Sequence, residues 1–245
     1  MGAVREPPCN AATFVHATTE REKASIAHEG KRVVDRPLFL SVEGIDGSGK
    51  TTVVDFLVRR LKEHRIPCLR VREPGTTRVG ESLRSILLDS RLEGIHPWTE
   101  VLLYLASQNQ QVQEVIRPAL EKGTWVVADR FADATLAYQG WGRGLDLRAI
   151  EAVQREVLQG FRPHKTLLLD CPVDLALQRR SGRTGGPDRL ESESADFHER
   201  VRQGYLNLAR REPQRFVVVD ASEPLERVLR QVEHLLESTG MGRTA

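Results

Sequence analysis

From Pro37 onward the chain alternates short apolar runs with longer stretches in which apolar residues return every three or four positions. The short runs are LFLSVE (38–43), PCLRVR (67–72), TWVVAD (124–129), KTLLLD (165–170) and RFVVVD (215–220). All are dense in Val and Leu, as strands covered on both faces are. The amphipathic stretches predict helices over 50–65, 78–89, 98–122, 146–159, 172–181, 193–211 and 224–238. Alternation of this kind predicts an α/β fold, a doubly wound sheet of five parallel strands with helices on both faces. Ligands of such sheets bind outside the carboxyl ends of the strands, which marks Glu43, Asp129 and Asp170 as candidates for chemistry. Asp220 is assigned to a structural turn.

Two segments break the pattern. RRSGRTGGPDRLESES (179–194) mixes Arg, Gly, Pro and Ser and reads as a mobile loop, with 179–192 as a lid. The first 37 residues hold no period of 2 or 3.6 and read as a disordered extension, the alternative being a docked helix around 19–28. The domain then covers 38–238, with 239–245 as a tail.

One helix is unusual in its polar positions. VLLYLASQNQQVQEVI (101–116) carries four Gln and one Asn within six residues. An apolar seam through Leu102, Leu105, Val112 and Ile116 leaves Tyr104, Gln108 and Gln111 on its border.

Composition narrows the class. At 245 residues and 40% hydrophobic content the chain supports one sizeable domain. The net charge of +2 comes from 36 basic and 34 acidic residues spread along the sequence, so any basic site is local and nucleic-acid binding is not indicated. Cys9, Cys68 and Cys171 have neither disulfide nor zinc spacing. No apolar run approaches the roughly 20 residues of a membrane span, the start lacks a signal core, and acidic residues there argue against a transit peptide. A cytoplasmic protein that touches no membrane is expected.

Chemistry enters with GIDGSGKT, Gly44 to Thr51, which fits the phosphate-binding pattern G-x-x-x-x-G-K-[ST] between a predicted strand and a predicted helix. Glycines let backbone N–H groups turn inward around phosphate oxygens. Lys50 neutralises the outer phosphates, and the Thr51 hydroxyl is a ligand for Mg²⁺, with Asp129 as a second. The triphosphate site is thus assigned to Gly44, Ile45, Asp46, Gly47, Ser48, Gly49, Lys50, Thr51 and Thr52. A GTP-dependent switch would carry Asn-Lys-x-Asp after a strand, and no such motif is present. A phosphotransferase needs an acceptor pocket and extra positive charge. Arg130 suits the first, while Arg179, Arg180 and Arg183 suit the second unless they form a solvated surface cluster.

From Leu38 to about Leu236 these residues resemble the bacterial thymidylate kinase family. VEGIDGSGKTT is similar to its phosphate loop, REPG (72–75) to its second-strand motif, and DRFADATLAYQGWGRG (129–144) to its DR(Y/H)…AYQG(x)GRG signature. DRLES (188–192) and FRPHKTLLLDCP (161–172) also match in order and spacing. The resemblance implies transfer of the γ-phosphoryl of ATP to dTMP with Mg²⁺, by a homodimer. It places Asp46, Glu73, Pro74, Arg84, Tyr104, Gln108, Arg130, Thr135, Tyr138 and Gln139 around the acceptor. It makes Lys50, Asp46, Arg130 and a lid arginine, preferably Arg183, the active centre. Tyr138 corresponds to the side chain under the deoxyribose that disfavours a ribose 2′-OH.

The chain departs from the family at four places. Thr76 stands where a second Gly is usual, Ala134 replaces a common Ser, and Thr135 takes the next, base-bonding position. Gln108 replaces an arginine that donates to thymine O4. An amide both donates and accepts, so it serves a carbonyl or an exocyclic amine. That leaves open a same-fold kinase with another base preference. A catalytically weak nucleotide-binding homologue acting as an interaction protein is the third reading.

Overall fold

The computed structural model describes residues 36–92, 94–182 and 186–237. Most of the 1–37 extension, the 239–245 tail and Arg183 lie outside the described residues. Five strands form one parallel sheet: β1 (Phe39–Glu43), β2 (Cys68–Arg72), β3 (Trp125–Asp129), β4 (Lys165–Asp170) and β5 (Phe216–Asp220), in the order β2-β3-β1-β4-β5. All four pairings are parallel, with Val42 opposite Asp129 on one side of β1 and Leu167 on the other. Each strand falls within two residues of its predicted run.

Alternate residues of the strands feed two apolar layers, as the pleat requires. Leu40, Val42, Trp125 and Val127 point to one face, whereas Phe39, Val126 and Ala128 point to the other. Because β1 has β3 and β4 as neighbours, chain leaving β1 and chain leaving β3 diverge, and a crevice opens at their carboxyl ends.

Helices α1 (Lys50–Glu63), α2 (Arg78–Leu88) and α3 (Pro97–Gln111) come first. The predicted helix 98–122 is composite: α3 passes through a π-helical turn at Val112–Ile116 into α4 (Arg117–Glu121), where Pro118 removes one N–H from the ladder. After β3 comes an element the periodicity did not reveal, α5 (Ala132–Thr135) widening into a π-helix at Leu136–Gly142. Its glycines hid it from sequence reasoning, since Gly disfavours helix interiors. Packing explains them: a Cβ on Gly142 would sit 2.7 Å from the Phe197 ring. Helices α6 (Leu147–Leu158), α7 (Val173–Ser181), α8 (Ala195–Arg211) and α9 (Leu225–Leu236) complete the domain. No described helix is long and apolar enough to cross a membrane.

The apolar seam expected along α3 is corrected in one respect. Leu102 is 53% exposed, and the buried stripe runs through Val101, Tyr104, Leu105, Gln108, Gln111 and Val112. Polar residues sit on the inner face because it lines a cavity and grips a loop.

Candidate active site

The Gly44–Thr51 loop leaves β1 and enters α1 through backbone that other residues resist. Gly47 has φ +93°, and a Cβ there would lie 2.2 Å from the Ala176 carbonyl. Helices α2, α6 and α8 are capped by the side chains of Thr77, Asp146 and Ser194, whereas α1 begins at Gly49 with no side-chain cap. Its first N–H groups therefore have no side-chain acceptor at the positive end of the helix, an arrangement that binds phosphate.

Lys50 is buried and rests on the loop itself, donating to the carbonyls of Ile45 (2.9 Å) and Gly44 (3.1 Å) and lying 3.5 Å from Asp46. Burial, reinforced by the charge of Arg130, lowers the ammonium pKa against the pull of Asp46. Thr51 Oγ1 lies 3.5 Å from Asp129 Oδ2, which brings two hard oxygen donors together. No cluster of three or more His, Cys, Asp or Glu capable of caging a metal exists among the described residues.

Behind the loop lies a charged knot. Arg130, in a left-handed conformation at φ +69°, donates to the Gly44 carbonyl (2.9 Å), Asp46 Oδ1 (2.6 Å), the Tyr138 hydroxyl (2.8 Å) and the Tyr205 hydroxyl (3.1 Å). Tyr138 donates to the other oxygen of Asp46 at 2.8 Å. Burial alone would raise the Asp46 carboxyl, but Arg130 and Lys50 hold it well below the usual carboxylate range. Tyr205 passes the network on to Glu43, which also accepts from Ser41 (2.6 Å) and the Phe131 N–H (2.7 Å). Complete burial and then the nearby Asp133 push Glu43 up to about 7.

An adjoining cavity of about 360 Å³ is lined by Asp46, Gly47, Gly49, Lys50, Thr51, Asp129 and Arg130 at one end. Its other walls include Glu73, Pro74, Arg84, Tyr104, Gln108, Ala134, Thr135, Tyr138 and Gln139. That volume lies in the range of small-molecule sites. All ten residues assigned to the acceptor thus meet at one cavity.

Geometry there is set by buried polar contacts. Arg84 donates to the Pro74 carbonyl (2.9 Å), Ser107 to Glu73 Oε2 (3.1 Å), and Gln111 to the Arg72 carbonyl (2.8 Å). Glu73 Oε1 is buried without a partner, and burial holds this carboxyl well above its ordinary range. Gln108 Nε2 donates to Thr135 Oγ1 (2.9 Å), while its Oε1 has no partner. Asp133, paired through both oxygens with Arg215 (2.6 and 2.8 Å), fixes α5 and with it Thr135. Thr76 has φ +69°, the conformation its usual Gly would favour, and its hydroxyl both accepts from Arg72 N–H and donates to Arg72 C=O.

Other candidates lie elsewhere. Arg179 donates to the Ala221 carbonyl (2.9 Å) and Arg180 to the Glu191 carbonyl (2.9 Å), and neither lines the cavity. Asp170 is engaged in a two-point pair with Arg202 on α8, and Asp220 accepts from Ser222 in a turn. Sequence reasoning missed Ser107, Tyr205 and Glu100. Glu100 is fully buried at the start of α3 and accepts from Gln139 (2.7 Å) and Arg189 (2.5 Å), with Arg143 at 3.4 Å. Its signal was spacing: Glu100, Tyr104, Ser107, Gln108 and Gln111 recur at three to four residues on one helix face.

The chain is similar to known proteins over most of its length. The chain is 46% identical over 206 residues to a thymidylate kinase of Desulfosudis oleivorans, covering 82% of this chain and 96% of that protein. A thymidylate kinase of Methylococcus capsulatus is 49% identical over 187 residues, with 76% and 88% covered. One from Carboxydothermus hydrogenoformans is 45% identical over 202 residues, with 82% and 98% covered. The family profile described as thymidylate kinase matches residues 42–232. With a family match over residues 42–232 and relatives covered over most of both chains, the chain belongs to the thymidylate kinase family.

Proposed function

We propose that the protein transfers the γ-phosphoryl group of ATP to dTMP, giving ADP and dTDP. The observation that carries this reading is one cavity in which a phosphate loop and an uncapped helix start meet a second set of side chains suited to a nucleoside monophosphate. The two rival readings, a preference for a different base and a catalytically weak binding protein, draw no support from the relatives.

In this mechanism Arg84 and Arg130 hold the acceptor phosphate, Glu73 and Pro74 shape its pocket, and Tyr104 offers its ring to the base. Tyr138 lies under the sugar and Gln139 closes the wall beside it. A phosphate oxygen of dTMP attacks the γ-phosphorus in line, and the β–γ bridging oxygen departs on ADP. Lys50 leaves the loop carbonyls for the triphosphate, and Asp46 keeps Arg130 oriented. Arg183 and its lid neighbours supply further positive charge once the lid closes, Arg179 exchanging Ala221 for the donor. Catalysis is then positioning and electrostatics, with no covalent intermediate. Thr51 and Asp129, two hard oxygen donors 3.5 Å apart, would hold Mg²⁺, which would neutralise phosphate charge when bound. The kinase domain covers 38–238.

A second copy of the chain is proposed as partner, through the exposed apolar residues Val79 and Ile86 of α2 and Leu102 of α3, two helices in contact with each other. A cytoplasmic location fits a soluble nucleotide kinase. A coupled ATP-consumption assay against dTMP and the other deoxy- and ribonucleoside monophosphates tests the activity, and failure of dTMP to turn over sinks it. Sedimentation of the purified chain tests the dimer, a monomer at micromolar concentration ruling it out.

A further inference from the structure

The base end of the cavity holds a feature that the family activity does not require. Gln108 is 0% exposed, its NH₂ is bonded to Thr135, and its carbonyl oxygen has no partner although both residues line the cavity. Leaving a buried acceptor unpaired costs about 1–3 kcal/mol, so a group kept in that state is poised for a ligand.

The pair has two arrangements of equal count. As it stands, the Gln108 NH₂ occupies a lone pair of Thr135, so the pair presents an acceptor, Gln108 Oε1, and a donor, the Thr135 O–H. Turning the amide by half a revolution about its last torsion reverses both: Gln108 Oε1 takes the Thr135 proton, leaving N–H as donor and a threonine lone pair as acceptor. These are the complements of the two pyrimidine edges. A 4-oxo base offers O4 as acceptor and N3–H as donor, and a 4-amino base offers N4–H₂ as donor and N3 as acceptor. An arginine at this position is donor-only and matches the first edge alone.

We propose that Gln108 and Thr135 form a two-state reader through which the enzyme also phosphorylates 4-amino pyrimidine deoxynucleoside monophosphates. This extends, and rests on, the reading of the cavity as the dTMP site. The 5-methyl form of dCMP is the closest member of that class, because it keeps the shape of dTMP and differs only at the edge being read. Its phosphate oxygen bonds to the γ-phosphorus of ATP while the bond from that phosphorus to the β–γ bridging oxygen breaks. That oxygen keeps the electron pair and leaves on ADP, as with dTMP.

The test uses the purified full-length chain with ATP and Mg²⁺ and measures kcat/KM for dTMP, dUMP, dCMP and 5-methyl-dCMP, with the diphosphate products identified directly. The reader predicts a kcat/KM for 5-methyl-dCMP within about tenfold of that for dTMP, since each edge finds a full set of partners. A site built for one edge rejects the other by about 10⁴-fold, so a ratio below one in a hundred overturns the proposal. Absence of dTMP turnover in the same assay instead overturns the parent reading, and the two failures are distinct. Two substitutions push in opposite directions. Gln108→Arg should lower the 5-methyl-dCMP to dTMP ratio at least about 100-fold, and Gln108→Glu, an acceptor when ionised, should raise it. Because each ratio is taken on one protein, partial loss of folding cancels, and an unchanged ratio in the arginine variant overturns the assignment to Gln108.

Discussion

The phosphate loop and helix α3 bound the same cavity and are built on opposite principles. The loop works through backbone: Gly47 adopts a conformation open to glycine, the start of α1 is left uncapped, and Lys50 waits on two loop carbonyls. Helix α3 works through side chains, turning Tyr104, Ser107, Gln108 and Gln111 inward, two of them with an unpaired oxygen. A backbone site is nearly independent of its neighbours and varies little without failing. A side-chain site is re-aimed by one substitution, as Gln108 illustrates.

Substitutions on the two sides sharpen that contrast. Lys50→Ala should lower kcat by about 10³-fold with a smaller change in KM, as loss of a preorganised charge at the transferring phosphoryl does. Steady-state kinetics decides it, and a decrease under tenfold would mean the loop backbone alone carries the transfer.

Glu43, at the entry to the loop, should govern how stability varies with pH. Its folded pKa of about 7 lies above the ordinary 4.5, so between those values the folded chain holds a proton that the unfolded chain has released. Its contribution is therefore complete below pH 4.5 and lost as pH rises through 7. That loss is on the order of 3 kcal/mol. Scanning Tm from pH 5 to 8 should show Glu43→Gln with a flatter decline than the parent chain, and parallel curves would show that Glu43 does not titrate there.

On the helix side, Gln111→Leu removes the bond that holds the Arg72 carbonyl and loosens the 72–77 loop. The expected result is a KM for dTMP raised about tenfold, the cost of one buried hydrogen bond, with kcat changed less. Equal losses in kcat and kcat/KM would place its role in the transition state instead. Smallest should be Thr76→Gly. Relief of left-handed strain opposes loss of two hydroxyl bonds to Arg72, so chemical denaturation should register less than about 1 kcal/mol either way.

How much was legible beforehand follows the same division. The strands and phosphate loop could be read because apolar runs and glycine spacing are local signals. Acceptor residues on 72–75 and 129–144 were reached by resemblance, and the structure brings them to one cavity. Leu102 was misplaced because seven buried positions of α3 include Glu100, Ser107, Gln108 and Gln111, and a hydrophobic stripe cannot reveal a polar interior. The π-helix at 136–142 was invisible because its glycines serve packing, Gly142 against Phe197, a contact far off in sequence, and Gly140 against Leu147. Asp170 carried the same strand-end signal as Asp129, yet pairs with Arg202, which only the tertiary arrangement discloses.

Glu100 joins four segments: α3, the π-helix through Gln139, the turn after it through Arg143, and the far end of the lid through Arg189. Replacing Glu100 takes the carboxylate from Arg189, and replacing Arg189 together with Arg143 strands the buried charge of Glu100, which costs several kcal/mol, while Gln139 adds a neutral hydrogen bond to the same carboxylate. Across descendants of this gene, Glu100, Gln139, Arg143 and Arg189 should therefore be inherited or replaced as a set. A transplanted lid should function only where the host already supplies its anchoring carboxylate.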